Sequence, residues 1–199
     1  MVSNKTKNIS TSWPVSERSE SQELTRPIYT IGHSTHSATE FVSILQAYAI
    51  EIVVDVRTIP KSRHNPQFAA EELQQNLRKH DIGYRRLEGL GGLRRTSAAS
   101  VNTAWKNLSF RGYADYMQTP EFARSLEELI KIGTEQQSVI MCAEAVPWRC
   151  HRSLIGDALL IRNIPVIDIM TAKTAKPHHL TSFARINGHT ITYSDQPTS

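Results

Sequence analysis

The sequence predicts an α/β domain built on a mostly parallel sheet of about five strands, followed by a small C-terminal hairpin. Three observations carry this reading. Short β-branched runs without polar alternation recur along the chain, the segments between them repeat apolar residues at helical spacing, and Asn187-Gly188 separates two β-prone stretches near the end. Unalternating strands are those covered by helices on both faces of a parallel sheet. An Asn-Gly pair supplies the backbone conformation of a tight hairpin turn.

Met1 to Arg26 is polar and lacks the apolar core of a signal peptide, and it holds too much acid for a transit peptide. It is expected to be a disordered leader, with residues 27–199 forming one α/β domain. "IYTIGHS" reads as the first strand, ending at Gly32. Ser37-Ala38-Thr39-Glu40 fits a capping box, in which the serine accepts from orphan amides and Glu40 reaches back; Phe41, Ile44, Leu45 and Tyr48 then recur at helical spacing. "IVVDVR", residues 52–57, is the second strand, residues 69–79 form a helix with Leu73 and Leu77 inward, and "YRRLE" from Tyr84 is a short third strand.

Residues 89–112 show no sustained period and read as a long loop or lid. Thr119-Pro120 resembles an N-cap followed by proline at the first helical position, and Phe122, Leu126, Leu129 and Ile130 give the buried face of that helix. "SVIMCAE" is the fourth strand. A helix from about His151 to Arg162 leads through Asn163, a left-handed cap, into the strand "PVIDIM".

Lys and Arg number 23 against 19 Asp and Glu, so the formal charge of +4 names no partner by itself. No apolar stretch is long enough to cross a bilayer, so no membrane partner is expected and the chain is placed in the cytoplasm. There its two cysteines, Cys142 and Cys150, stay reduced.

In parallel α/β sheets, ligands bind outside the carboxyl ends of the strands. Gly32-His33-Ser34, Asp55-Val56-Arg57 and Cys142-Ala143-Glu144 fall at those ends. The loop "RTIPKSRHNP" crowds Arg57, Lys61, Arg63 and His64 between prolines, which suits a phosphate. Basic residues continue through Arg78, Lys79, Arg85, Arg86, Arg94 and Arg95, with Tyr84, Trp105, Phe110, Tyr113 and Tyr116 interspersed, as base stacking would require. "GLGGLRR" lacks dinucleotide-fingerprint spacing and there is no phosphate loop, so neither NAD nor ATP is expected.

The densest chemistry lies in "MCAEAVPWRCHRSLIG", residues 141–156. Both thiols should return to one crevice, Cys142 at a strand end and Cys150 before a helix whose free amides, with Arg149, His151 and Arg152, favour a thiolate. Cys150 is therefore expected to react faster than a model thiol at neutral pH, and the sequence leaves open which of the two cysteines carries the chemistry. The candidate catalytic residues are Cys142, Glu144, Cys150 and His151, with Glu144 or His151 carrying the proton. His33, Ser34, Asp55, Arg57, Arg63 and Arg152 are the candidate substrate-binding residues. Two thiols used only as core packing are the plainer reading. A zinc set of Cys142, Cys150, His151 and either His33 or Glu144 is also open, although the spacing is unlike a zinc finger and no cofactor is assigned. His178-His179 reads as a solvated tail.

"TIGHS", "VVDVRTIPKSR", "YRRLEGLGG", "YADYM" with "TPEF", and "CAE" followed by "CHR" together resemble the bacterial family called domain of unknown function four-eight-eight, over about residues 28–170. The resemblance implies a Rossmann-like three-layer sandwich. It also implies a shared polar site at Gly32, His33, Ser34, Asp55, Arg57, Pro60, Ser62, Arg63, Cys142, Glu144, Cys150, His151 and Arg152. It implies no reaction. Thr35 departs from the asparagine common in the family after "GHS", and residues 96–108 are irregular. The expected function is a hydrolase or transferase with a cysteine-centred site, acting on a phosphate-bearing nucleotide or nucleic-acid component. The alternatives are a non-catalytic nucleic-acid-binding module and a zinc-dependent or thiol-redox protein.

Overall fold

The computed structural model describes residues 26–61 and 64–195, so all but the last residue of the expected leader, and the candidate site residues Ser62 and Arg63, lie outside the described residues. The elements run β1 (Ile28–Gly32), α1 (Ala38–Ala47), β2 (Ile52–Asp55), α2 (Ala70–Arg78), β3 (Gly83–Arg86), α3 (Leu108–Tyr116), α4 (Pro120–Glu135), β4 (Ser138–Cys142), α5 (Arg152–Leu160), β5 (Val166–Thr171), β6 (Thr174–Pro177), β7 (Arg185–Asn187) and β8 (Thr190–Thr192). One six-stranded sheet has the order β3-β2-β4-β1-β5-β6, and β7 pairs with β8 in a separate hairpin. All neighbours in the large sheet are parallel except β5 and β6. The fold is thus the Rossmann-like α/β sandwich expected, with β6 as an added antiparallel edge. No helix among the described residues is long and apolar enough to cross a membrane.

The caps follow the sequence with one change. Ser37 Oγ accepts from the Glu40 amide at 3.1 Å, but the Glu40 carboxylate turns to the His36 ring, 2.9 Å away, instead of closing the box. Thr119 caps α4 through the Phe122 amide, and Asn163 takes the left-handed conformation at φ 60°. Gly188, at φ 57°, makes the hairpin turn. The long loop is shorter than its sequence suggests, because α3 begins at Leu108, capped by Asn107.

Two cores lie on opposite faces of the sheet. Ile31, Val53, Val139 and Met141 pack with Phe41, Leu45, Phe68 and Leu77 beneath α1 and α2. Val54, Ile140 and Cys142 pack with Tyr113, Leu126, Leu154 and Ile155 beneath α3, α4 and α5. Alternation along β4 therefore turns Met141 to one face and Cys142 to the other. At their carboxyl ends the strands remain laced together. Val56 N–H donates to Met141 O at 3.1 Å, His33 N–H to Cys142 O at 2.9 Å, and Ser34 N–H to Ala143 O at 2.9 Å. This is what brings the loops after β1, β2 and β4 to one place.

Candidate active site

The loop after β4 crosses directly over the end of β1. A methyl group on Gly32 would collide with the Glu144 backbone carbonyl, so the close approach requires glycine. Arg152, in the first turn of α5 and 1% exposed, ties the loop down by donating to the Glu144 carbonyl at 2.6 Å and the Ala145 carbonyl at 3.0 Å. Its guanidinium has no carboxylate partner within ion-pair distance among the described residues.

That loop delivers three reactive atoms to one point. His151 Nδ1 lies 3.9 Å from Cys142 Sγ and 3.7 Å from Cys150 Sγ. The other ring nitrogen, Nε2, lies 3.0 Å from the Val56 carbonyl, which can only accept, so Nε2 carries a proton and Nδ1 is the nitrogen presented to the sulfurs. Gly92 packs against the imidazole ring, where a side chain would collide with it, and Tyr113 packs with its ring centroid 5.0 Å away. The ring is thus held in one orientation.

The two thiols are unequal. The neighbouring Cys150, then His151 and the charge of Arg152, outweigh burial and lower the Cys142 pKa. The neighbouring Cys142, together with burial, raises Cys150. These influences favour a thiolate at Cys142 and run against the fast labelling expected of Cys150. Both sulfurs are buried in the same core, Cys142 at 8% and Cys150 at 3% exposed.

The cluster opens into a cleft of about 450 Å³ walled by Thr58, Gly92, Asn107, Ser109, Phe110, Glu144 and Arg149. A second hollow of about 360 Å³ adjoins it, lined by His33, Ser34, Lys61 and His64, and the two share Arg57, Ile59, Ala143 and Glu144. Together these form the crevice expected at the strand ends.

The family model described as "Domain of unknown function DUF488" matches residues 37–159. The chain belongs to the DUF488 family. Searches of curated proteins and of solved structures each returned no significant match.

In this DUF488 chain the expected site residues divide into two groups. Cys142, Cys150 and His151 converge, and Glu144 is exposed at the junction of the two hollows. Asp55, Arg57 and His33 instead form a buried strut on the α1–α2 face. Arg57 donates Nε and Nη2 to Asp55 at 2.9 and 2.6 Å, and Nη1 to the Phe68 carbonyl at 2.8 Å. Burial works against the Arg57 charge, but the Asp55 hydrogen bond and charge outweigh it and raise its pKa. His33 stacks on Phe68 at 4.2 Å, donates Nδ1–H to the Ser34 carbonyl at 3.0 Å and turns Nε2 to Arg57 at 3.3 Å. Burial lowers its pKa. With both ring nitrogens engaged, His33 is not available to the cysteine cluster, and Arg57 meets the crevice already neutralised. Arg152 is spent on loop carbonyls and lines neither hollow. The other cations that line the crevice are Arg149 in one hollow and Lys61 in the other, where the His64 ring also lies.

Sequence reasoning missed Tyr84, whose hydroxyl donates to Asp55 at 2.7 Å, and the wall residues Gly92, Asn107 and Ser109. Its expectation for His178 is overturned. That ring is buried, with Nδ1 2.9 Å from Asp168 and Nε2 3.2 Å from Asp157. The available signal was Gly156 inside α5, where a side chain would meet the His178 ring.

Proposed function

We propose that the protein is a hydrolase or transferase whose nucleophile is Cys142 and whose substrate is a phosphate-bearing nucleotide or nucleic-acid component. The observation that carries this reading is the meeting of Cys142 Sγ with His151 Nδ1, 3.9 Å apart, at the wall of an open cleft. A nucleophile beside a base, with the base itself oriented by a third group, is the arrangement that activates thiols. Here the orienting group is the Val56 carbonyl.

In this mechanism the Cys142 thiolate attacks the electrophilic centre of the substrate, forming a bond from sulfur to that atom as the bond to the leaving oxygen breaks. His151, with a proton on Nδ1, gives that proton to the departing oxygen. Water or a second acceptor then gives its proton to Nδ1 and displaces the thiolate, which restores the starting state. Arg149, Lys61 and His64 support an anionic substrate.

The basic, aromatic-rich stretch favours the binding-module alternative less than its composition suggests. Arg85 pairs with Glu128 at 2.8 Å, Arg86 with Glu88 at 2.7 Å, and Arg94 lies over the Tyr116 ring. Trp105 and Phe110 pack on one another, and Trp105 also packs on Phe183 and Tyr193. Those rings serve the core.

The test combines iodoacetamide labelling, read residue by residue by mass spectrometry, with a turnover screen of nucleoside phosphates, dinucleotides and short oligonucleotides. Cys142 is expected to label faster than N-acetylcysteine at pH 7, and turnover to be lost in Cys142→Ser and in His151→Ala. Labelling of Cys142 no faster than the free thiol, with Cys142→Ser keeping every activity found, overturns the proposal.

A further inference from the structure

We infer that Cys142, Cys150 and His151 also form a binding site for one Zn²⁺ ion, and that occupancy of this site switches off the thiol chemistry at Cys142. The second clause rests on the nucleophile reading above, whereas the first stands on geometry alone. The three donor atoms lie within 4.8 Å of one another. In a tetrahedral zinc site with ordinary Zn–S and Zn–N lengths, sulfur and nitrogen stand about 3.6 Å apart and two sulfurs about 3.8 Å. The sulfur-to-Nδ1 separations here are 3.7 and 3.9 Å, so a cation needs shifts of only tenths of an ångström along those edges.

The surroundings are those of an arranged donor set. A metal-binding imidazole ordinarily donates its remote N–H to an oxygen that fixes ring orientation, and Nε2 is 3.0 Å from the Val56 carbonyl. The sulfurs sit on a strand end and on the turn before α5, which Arg152 pins to one another through the Glu144 and Ala145 carbonyls. Two thiols and an imidazole are soft and borderline donors, which select zinc over magnesium or calcium. With three protein ligands, the fourth position opens on the cleft and is left to water or an exchangeable ligand. On ligation both sulfurs are bound as thiolates, any remaining thiol proton passes to solvent, and neither electron pair is free to attack a substrate.

The experiment uses the full chain, reduced and freed of metal with a chelator. Zn²⁺ is titrated against a chromophoric chelator, Co²⁺ serves as a spectroscopic probe, and iodoacetamide labelling of Cys142 is followed with and without Zn²⁺. One equivalent of Zn²⁺ is expected, along with a sulfur-to-cobalt charge-transfer band and intense visible bands of tetrahedral cobalt. Zn²⁺ should also slow Cys142 labelling at least tenfold. Cys150→Ser and His151→Ala should each weaken binding by more than the roughly 10–100-fold that loss of an outer partner costs. Absence of the charge-transfer band, or Zn²⁺ affinity that neither substitution changes, overturns the site. The labelling of the unsubstituted chain decides the matter even if a variant fails to fold. Fast labelling that Zn²⁺ leaves unchanged removes the zinc inference and keeps the nucleophile. Stoichiometric zinc with slow labelling of the metal-free chain keeps the site and removes the nucleophile, and with it the switch.

Discussion

Replacing His178 by Gln should remove most of the pH dependence of stability between pH 6.5 and 9 that belongs to the C-terminal half of the sheet. The imidazole bridges Asp168 on β5 and Asp157 on α5 with its side chain 7% exposed. Asp157 also accepts from the Thr181 amide at 3.1 Å and the Tyr193 hydroxyl at 2.8 Å, and Asp168 from the Thr30 hydroxyl at 2.6 Å. Burial disfavours the charged ring, but the two carboxylates outweigh burial and raise His178 from 6.5 to about 9. A raised pKa means that the folded state holds the proton more tightly than the unfolded chain. The contribution is therefore complete below about pH 6.5 and lost as pH rises through 9. A shift of about 2.5 units corresponds to roughly 3 kcal/mol. Urea unfolding at pH 6.0 and at pH 9.5 measures it. The cysteines of the unfolded chain begin to titrate across the same range, so the informative quantity is the wild-type stability minus that of His178→Gln at each pH, in which their common contribution cancels. That difference should fall by about 3 kcal/mol between the two pH values. A fall below about 0.5 kcal/mol, within the scatter of additive sites, refutes the charged bridge.

Gly32→Ala should destabilise the fold by about 1–3 kcal/mol, seen as a lower urea midpoint, because the added methyl meets backbone at Glu144 rather than a side chain that can turn away. Tyr84→Phe removes the 2.7 Å hydrogen bond to buried Asp55 and should cost about 1–3 kcal/mol in the same assay. Arg152→Met should cost about 3 kcal/mol, since two loop carbonyls lose their donor and Cys142 loses a neighbouring charge. It should also slow iodoacetamide labelling of Cys142.

The strands were legible because both faces of the sheet are covered, which makes "IVVD" and "SVIMC" continuous apolar runs that no exposed element resembles. Helix α3 was not, because Gly112 breaks its pattern; that glycine is required where the Arg94–Thr96 backbone crosses the helix, a contact between segments distant in sequence. Strand β6 is four residues ending in proline on a sheet edge, too short to carry a period. Convergence of the strand ends could be read from topology alone. Which side chains share a hollow could not, since that depends on facing. Asp55 and Arg57 turn toward Phe68, whereas Cys142 turns toward Leu154 and Tyr113, so residues adjacent in the list of strand ends lie on opposite sides of the sheet.

Two arginines are buried near the carboxyl ends of the strands, and their surroundings differ. Arg57 has the Asp55 carboxylate at 2.6 Å and the Phe68 carbonyl at 2.8 Å, and so makes a strut between β2 and the Phe68 turn. Among the described residues Arg152 has only carbonyl oxygens within hydrogen-bond reach, and leaving a charge so buried without an opposite charge is costly. The charge of Arg152 also favours a thiolate at Cys142, after Cys150 and His151. A carboxylate in that place would neutralise Arg152 equally well but would be a poor nucleophile and a harder ligand. The buried arginine therefore holds the β4–α5 loop in place and, with Cys150 and His151, adds to the influences that favour a thiolate at Cys142. Cys142→Ser should accordingly lower stability as well as remove the reactive sulfur, whereas a thiol used only as packing would be exchanged for serine at the cost of its burial alone.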